Sequence, residues 1–279
     1  MEILLAKSAG FCFGVTRATK MAFAASAEYG RLCPLGPVIH SPQLVAKLAE
    51  QGVEVVDDVE GLPPGAVIIR SHGVSALEMQ RIVDRGLTVV DATCPFVKKA
   101  QKDAACLSRE GYTVVIVGEA DHPEVRGIVS YADSGPVHVV ADARQAQALP
   151  RFDKIGVIAQ TTQSHENLQE IVALFLKSCT ELRVFNTICD ATKVRQDEAR
   201  EIARQVDLML VIGGFNSANT TRLAQICRDI QPQTKHIETA DQVESGWFSG
   251  VEKVGLTAGA STPRWLIDEV LARVKVLVK

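Results

Sequence analysis

The sequence predicts an α/β protein built from three similar α/β domains. Short runs of aliphatic and β-branched residues end in loops rich in Gly, Ser, Thr or Asn, and helix-like stretches follow. These runs are continuously apolar rather than alternating, as in strands covered on both faces. Three of the strand-like runs end at a cysteine, and Cys12, Cys94 and Cys189 are spaced about 80 to 95 residues apart.

In order, residues 3–12 form the first strand-like run and close in Ala-Gly-Phe-Cys-Phe-Gly-Val at 9–15. Residues 43–51 read as a helix. Residues 67–70 lead into Ser-His-Gly-Val-Ser at 71–75, and residues 87–94 lead into Cys94 and Pro95. Residues 113–117 precede Gly-Glu-Ala-Asp-His-Pro-Glu, and residues 154–159 precede Gln-Thr-Thr-Gln-Ser. Residues 182–189 end at the third cysteine, and residues 198–206 read as a helix. Residues 208–212 and 254–257 run into Gly-Gly-Phe-Asn-Ser-Ala-Asn and Ala-Gly-Ala-Ser-Thr-Pro. In open α/β sheets, ligands collect beyond the carboxyl ends of strands, where all these loops fall. The expected domains are 14–95, 96–189, and 1–13 joined with 190–279, with no flexible linker between them.

Composition narrows the function classes. The 279 residues are 47% apolar and 23% charged, with a net charge of −3. That fits a globular chain and gives no basic stripe for nucleic acid. No apolar run reaches the roughly 20 residues of a membrane span, and the first residues lack the pattern of a secretory signal. A soluble cytoplasmic protein is expected, with no nucleic-acid or membrane partner.

The seven cysteines do not suit a disulfide framework in such a chain. Cys33, Cys106, Cys179 and Cys227 lie in helical or apolar contexts and read as packing residues. Cys12 is flanked by glycines, Cys94 precedes Pro95, and Cys189 ends a strand-like run. Without C-x-x-C spacing, a zinc ribbon or a bacterial ferredoxin pattern is absent. A three-cysteine centre on a four-iron cluster would leave one iron open as a Lewis acid.

Three of six histidines, His40, His72 and His122, sit in Gly- or Pro-bounded loops after strand-like runs. They are candidate metal ligands, phosphate donors or proton sources. Ser217, Asn219 and Ser261 offer neutral donors beside glycines, and two of their loops open helices, where free N–H groups attract anions. No P-loop or dinucleotide fingerprint occurs. Glu124, after His122 and Pro123, is a candidate proton donor, with Thr161 and Thr162 available to orient it or the substrate.

Taken together, these motifs resemble the 4-hydroxy-3-methylbut-2-enyl diphosphate reductase family. The resemblance runs from Ala9 to Pro263 through 9–15, Ser-His-Gly-Val at 71–74, Ala-Thr-Cys-Pro at 92–95, and His-Pro-Glu-Val at 122–125. It continues with Gln-Thr-Thr at 160–162, Thr-Ile-Cys at 187–189, Asn-Ser-Ala-Asn at 216–219 and Ala-Gly-Ala-Ser at 258–261. It implies three α/β domains in a trefoil around a 4Fe-4S cluster held by Cys12, Cys94 and Cys189, with the substrate hydroxyl on the open iron. It implies that His40, His72, His122, Ser217, Asn219 and Ser261 hold the diphosphate, and that Glu124 with Thr161 delivers protons. The implied products are isopentenyl and dimethylallyl diphosphate, and the implied electron donor is a ferredoxin or flavodoxin. Two positions depart from the family pattern: Ser41 replaces a frequent Asn, and Ala218 replaces a frequent serine. Thr192 is a further candidate near the third cysteine. The competing readings are a non-redox iron–sulfur hydro-lyase, a non-catalytic cluster sensor or carrier, and a zinc hydrolase.

Overall fold

The computed structural model describes residues 1–278. The first third of the chain forms β1 (Glu2–Leu5), α1 (Phe13–Tyr29), β2 (Leu32–Pro34), α2 (Pro42–Ala49), β3 (Ala66–Ile69), α3 (Ala76–Asp84) and β4 (Thr88–Asp91). Then follow α4 (Pro95–Arg109), β5 (Thr113–Val117), α5 (Pro123–Tyr131), β6 (Val137–Val140), α6 (Ala143–Gln147), β7 (Lys154–Ala159), α7 (His165–Phe175) and β8 (Glu181–Val184). The rest forms α8 (Asp190–Ala203), β9 (Leu208–Ile212), α9 (Ala218–Ile230), β10 (Thr234–Ile237), β11 (Lys253–Ala258) and α10 (Arg264–Leu277).

The strands make three sheets, ordered β1-β11-β9-β10, β2-β3-β4 and β6-β5-β7-β8. Every strand pairing in them is parallel. The three-stranded sheet gains a rudimentary fourth member from the isolated parallel bridges Leu32↔Val53 and Leu35↔Val56. The sheets therefore share one plan, and the fold is α/β as the apolar runs predict. One sheet lies within residues 14–95, one within 96–189, and one combines β1 with strands after residue 190. The chain forms two compact units: one comprises 1–16, 40–46 and the chain from 190 onward, and the other 17–39 and 47–189.

The central strands are apolar throughout because both faces are covered. In β9, Leu208, Leu210 and Ile212 face Ile267, Val270 and Val274 of α10, while Met209 and Val211 face Ala199, Leu223 and Cys227 of α8 and α9. In β5 the same split sends Val115 and Val117 toward α7, and Val114 and Ile116 toward α4 and α5. Each such fully buried aliphatic side chain contributes about 1.5–3 kcal/mol. No helix among the described residues is long and apolar enough to cross a membrane.

The strand-like runs at the cysteines are shorter than the sequence predicts. β1, β4 and β8 stop at Leu5, Asp91 and Val184. Each cysteine comes later, immediately before the first residue of α1, α4 or α8. Local chemistry explains the break. Gly10 turns the first loop with φ +105, a conformation that disfavours side chains. Pro95 sets the first turn of α4 and leaves Cys94 as its N-cap. The helix read at 198–206 runs instead from Asp190 to Ala203, and hydropathy misses its start because its first two turns bury Thr192, Arg195 and Gln196 rather than apolar residues.

Candidate functional site

All three predicted cluster cysteines have the same backbone setting. The Cys12 N–H donates to the Ala260 carbonyl at 3.1 Å, Cys94 to Ser71 at 3.0 Å, and Cys189 to Thr161 at 3.1 Å. In each case the acceptor is the second residue past the end of the neighbouring strand: β11, β3 or β7. Each cysteine follows an edge strand, is tied to the loop beside it, and opens a helix.

These positions suit anionic sulfur. Helix starts carry unpaired N–H groups and partial positive charge. The Cys12 Sγ accepts from the Val15 N–H at 3.5 Å. Cys12, Cys94 and Cys189 are all partly exposed. None of the remaining cysteines sits at a helix start. Cys33 and Cys227 are buried in apolar clusters, as their packing reading expects, and burial pushes the Cys227 thiol up to about 12. Cys106 and Cys179 are half-buried, and Cys179 packs against the core cluster of β7 and α7 as its packing reading expects. Their thiols donate to the Glu110 carboxylate at 3.0 Å and the Phe175 carbonyl at 3.1 Å.

In the unit containing Cys94 and Cys189, a run of contacts joins most of the predicted residues. His72 follows Ser71, the acceptor for Cys94. The His72 and His122 rings meet edge to face, with centroids 5.4 Å apart. His122 caps α5: its Nδ1 accepts from the Glu124 N–H at 3.1 Å. That bond requires an unprotonated Nδ1 and leaves Nε2 as the N–H donor of the neutral ring. Glu124 accepts from the Thr161 N–H at 2.6 Å and from the Thr161 hydroxyl at 2.9 Å. Thr161 in turn accepts from Cys189 through its carbonyl.

Glu124 is 1% exposed. Burial raises its carboxyl to about 7, against the two Thr161 bonds that lower it, and Glu119 adds to the rise. The group is therefore divided between acid and base forms near neutrality, as proton transfer requires. Thr162 takes a different part. Its hydroxyl accepts from the Gln160 amide at 3.2 Å, and Gln160 also accepts from the Glu119 N–H.

The other unit carries Cys12, His40, Ser217, Asn219 and Ser261. Ser217 caps α9, accepting from the Thr220 N–H and, at 3.0 Å, from the Thr220 hydroxyl. Asn219 is buried in the first turn, and its Nδ2 has no hydrogen-bond partner. A buried amide donor at a helix N-terminus suits an anion. Gly213, with φ +143, lets this loop pack closely: a Cβ there would lie 2.4 Å from the Thr262 hydroxyl. The Ser261 hydroxyl donates to the His40 carbonyl at 3.0 Å, so it braces the His40 loop. Ala218 is the first residue of α9 and Ser41 directly precedes α2, so both departures fall at helix starts.

Several residues with a clear part here escape a reading of motifs. Arg195 is 3% exposed, and its Nη2 donates to the carbonyls of Ser8 and Gly10 ahead of Cys12. Glu198 accepts from the N–H groups of Lys7 and Ser8. Arg17 donates to the carbonyls of Asp91 and Thr93 ahead of Cys94. The available signal was periodicity: Thr192, Arg195, Gln196 and Ala199 make a buried stripe at helical spacing, with an arginine where a core residue would stand.

Residues 3–275 match the family model described as LytB protein. The chain is 62% identical to the 4-hydroxy-3-methylbut-2-enyl diphosphate reductase of Syntrophotalea carbinolica over the full length of both. It is also 62% identical to the Geobacter sulfurreducens enzyme of that name, covering 99% of this chain and 97% of that one. A solved (E)-4-hydroxy-3-methyl-but-2-enyl diphosphate reductase, described as the terminal enzyme of the non-mevalonate pathway, is 42% identical with a TM-score of 0.72, covering 99% of this chain and all of that one. A Plasmodium falciparum reductase structure shares the fold at TM-score 0.90 and 24% identity, covering all of this chain and 88% of that one.

Proposed function

This chain belongs to the LytB protein family, and on that premise we propose that it reduces 4-hydroxy-3-methylbut-2-enyl diphosphate to isopentenyl and dimethylallyl diphosphate. Two electrons and two protons enter, and the hydroxyl leaves as water. The cofactor in this reading is a 4Fe-4S cluster on Cys12, Cys94 and Cys189, supported by three partly exposed thiols at helix starts. When bound, such a cluster supplies electrons singly and a Lewis-acidic iron for the departing oxygen. A ferredoxin or flavodoxin is the electron donor in this reading.

The observation that carries the proposal is the link from Glu124 through Thr161 to Cys189. Thr161 holds the proton-bearing carboxyl with its N–H and hydroxyl, and accepts from a cysteine with its carbonyl. Glu124 holds the proton that leaves with the hydroxyl. A threonine hydroxyl both donates and accepts, so Thr161 keeps a bond to Glu124 in either protonation state and can pass the proton outward. His122 offers its Nε2 N–H to the diphosphate, because Nδ1 is engaged on α5. Asn219 and the first turn of α9 supply further donors to the anion. Burial of Glu124 strengthens its bonds to Thr161.

The test is anaerobic purification, iron and sulfide analysis, and turnover of the allylic diphosphate with a reduced one-electron donor. About four irons per chain and donor-dependent product support the reading. Turnover without a donor would replace it with a hydro-lyase, and a stable cluster without turnover would replace it with a sensor.

A further inference from the structure

Arg17 and Arg195 are absent from the predicted catalytic and binding residues, yet each grips the loop that leads into a cysteine. Arg17, on α1, donates through Nη1 to the Thr93 carbonyl at 3.2 Å and through Nη2 to the Asp91 carbonyl at 3.3 Å. The Thr93 carbonyl belongs to the peptide group whose N–H is that of Cys94. That N–H donates to Ser71 at 3.0 Å. Both ends of the peptide entering Cys94 are therefore fixed. The Asp91 carboxylate tightens the same turn by accepting from the Thr93 N–H at 2.9 Å and pairing with Lys98 at 2.5 Å.

The loop before Cys12 is gripped in the same way. Arg195, on α8, donates through Nη2 to the carbonyls of Ser8 and Gly10, both at 2.8 Å, and through Nη1 to Ala191 of its own helix. Glu198, one turn along, takes the complementary side: it accepts from the N–H groups of Lys7 at 2.7 Å and Ser8 at 2.8 Å. The loop before Cys189 is tied by other means. Thr187 uses its hydroxyl to bond both the N–H and the carbonyl of Ala159 at the end of β7, and Lys99 lies over the Phe185 ring at 5.6 Å.

A guanidinium has several donors in one rigid plane, so it can hold two carbonyls in a fixed relation, whereas an ammonium is a mobile point charge. Buried loop carbonyls need such donors in any case. Placing charged forks next to cysteine loops gives the thiols a preset direction. We propose that Arg17 and Arg195 are positioning residues for the iron–sulfur group, each holding one cysteine loop in its metal-ready shape. The inference rests on the reading of Cys12 and Cys94 as ligands. Loss of a group that orients a ligand lowers metal affinity by about 10–100-fold, so the effect belongs to cluster retention.

The test compares anaerobically purified wild type with Arg17→Met, Arg17→Lys and Cys94→Ser, by circular dichroism and by the rate at which a ferrous chelator extracts iron. Arg17 carries the test because it is partly exposed, whereas loss of the buried Arg195 endangers folding. Arg17→Met is expected to keep the wild-type dichroism and release iron about 10–100 times faster, with Arg17→Lys between the two. An arginine that merely stabilised the fold would change unfolding and leave iron release alone. Wild-type iron release from a folded Arg17→Met protein would overturn the inference. Full iron in Cys94→Ser would overturn the ligand reading beneath it.

Discussion

Thr161 holds both oxygens of Glu124, one through its N–H at 2.6 Å and the other through its hydroxyl at 2.9 Å. Two donors on one buried carboxylate favour the charged form, yet the carboxyl stands near 7 because burial outweighs them. Glu124 is thus held in geometry by Thr161 and set in acidity chiefly by its burial. Glu124→Gln keeps the shape and both bonding positions but carries no transferable proton. Turnover is expected to fall by about 10²–10⁴-fold with iron content and substrate affinity retained. Steady-state kinetics with parallel iron analysis checks this, and normal turnover would remove Glu124 from the chemistry.

Activity should depend on the acid form of Glu124. Turnover is expected to hold below about 7 and to decline as pH rises through that value. Thr161→Val removes the hydroxyl that lowers the Glu124 carboxyl, so the descending limb should move to higher pH. A kcat–pH profile of the two proteins reads this directly. An unmoved limb would mean that the Thr161 hydroxyl does not set the acidity.

The same shift governs stability, with a defined sign. The folded carboxyl titrates above its ordinary value of 4.5. Its contribution is complete below about 4.5, shrinks as pH rises, and is lost above about 7. The total is on the order of 3 kcal/mol. Glu124→Gln should therefore gain stability relative to wild type between those pH values. Denaturant unfolding at pH 5 and pH 8 tests it, and a difference that stays constant with pH would refute it.

The fold was legible where apolar β-branched residues run on without interruption. The strands at 113–117, 154–159 and 208–212 stand where those runs predict, because two-sided burial leaves little other choice of residue. The cysteine loops were less legible. In the run 182–189 pairing stops at Val184, yet Phe185 and Ile188 still pack into core clusters, so apolar residues continue past the strand end. The start of α8 was hidden for the opposite reason: its buried face holds Thr192, Arg195 and Gln196, whose value lies in hydrogen bonds that hydropathy does not register. The candidate residues themselves were legible as motifs. Their partners, Arg17, Arg195 and Glu198, became visible only once distant loops were in place, because the contacts run through backbone carbonyls and N–H groups common to every residue.

Cys227 and Cys33 offer a control on the metal assignment. Both thiols lie in apolar clusters, and burial holds both in the protonated form. Cys227→Ser and Cys33→Ser should keep their iron, while a buried hydroxyl lowers stability by about 1–3 kcal/mol. Iron analysis beside thermal unfolding separates the two effects. Loss of the cluster from either variant would contradict the assignment to Cys12, Cys94 and Cys189.

His122 allows its two ring nitrogens to be tested apart. Nδ1 accepts from the Glu124 N–H and caps α5, so removal of the ring frees a helix N-terminus beside Glu124. In the proposed reading, Nε2 is the atom that donates to the diphosphate. Asparagine is a good N-cap and can replace Nδ1, but it does not reach as far as Nε2. His122→Asn should therefore keep the fold close to wild-type stability while the KM for the diphosphate rises about 10-fold, the loss of one charge-assisted hydrogen bond. His122→Ala should show the same KM change and an added loss of about 1 kcal/mol from the missing cap. If His122→Asn bound substrate as wild type does, the histidine would be a cap alone, and the conformation of Glu124 would be its whole contribution.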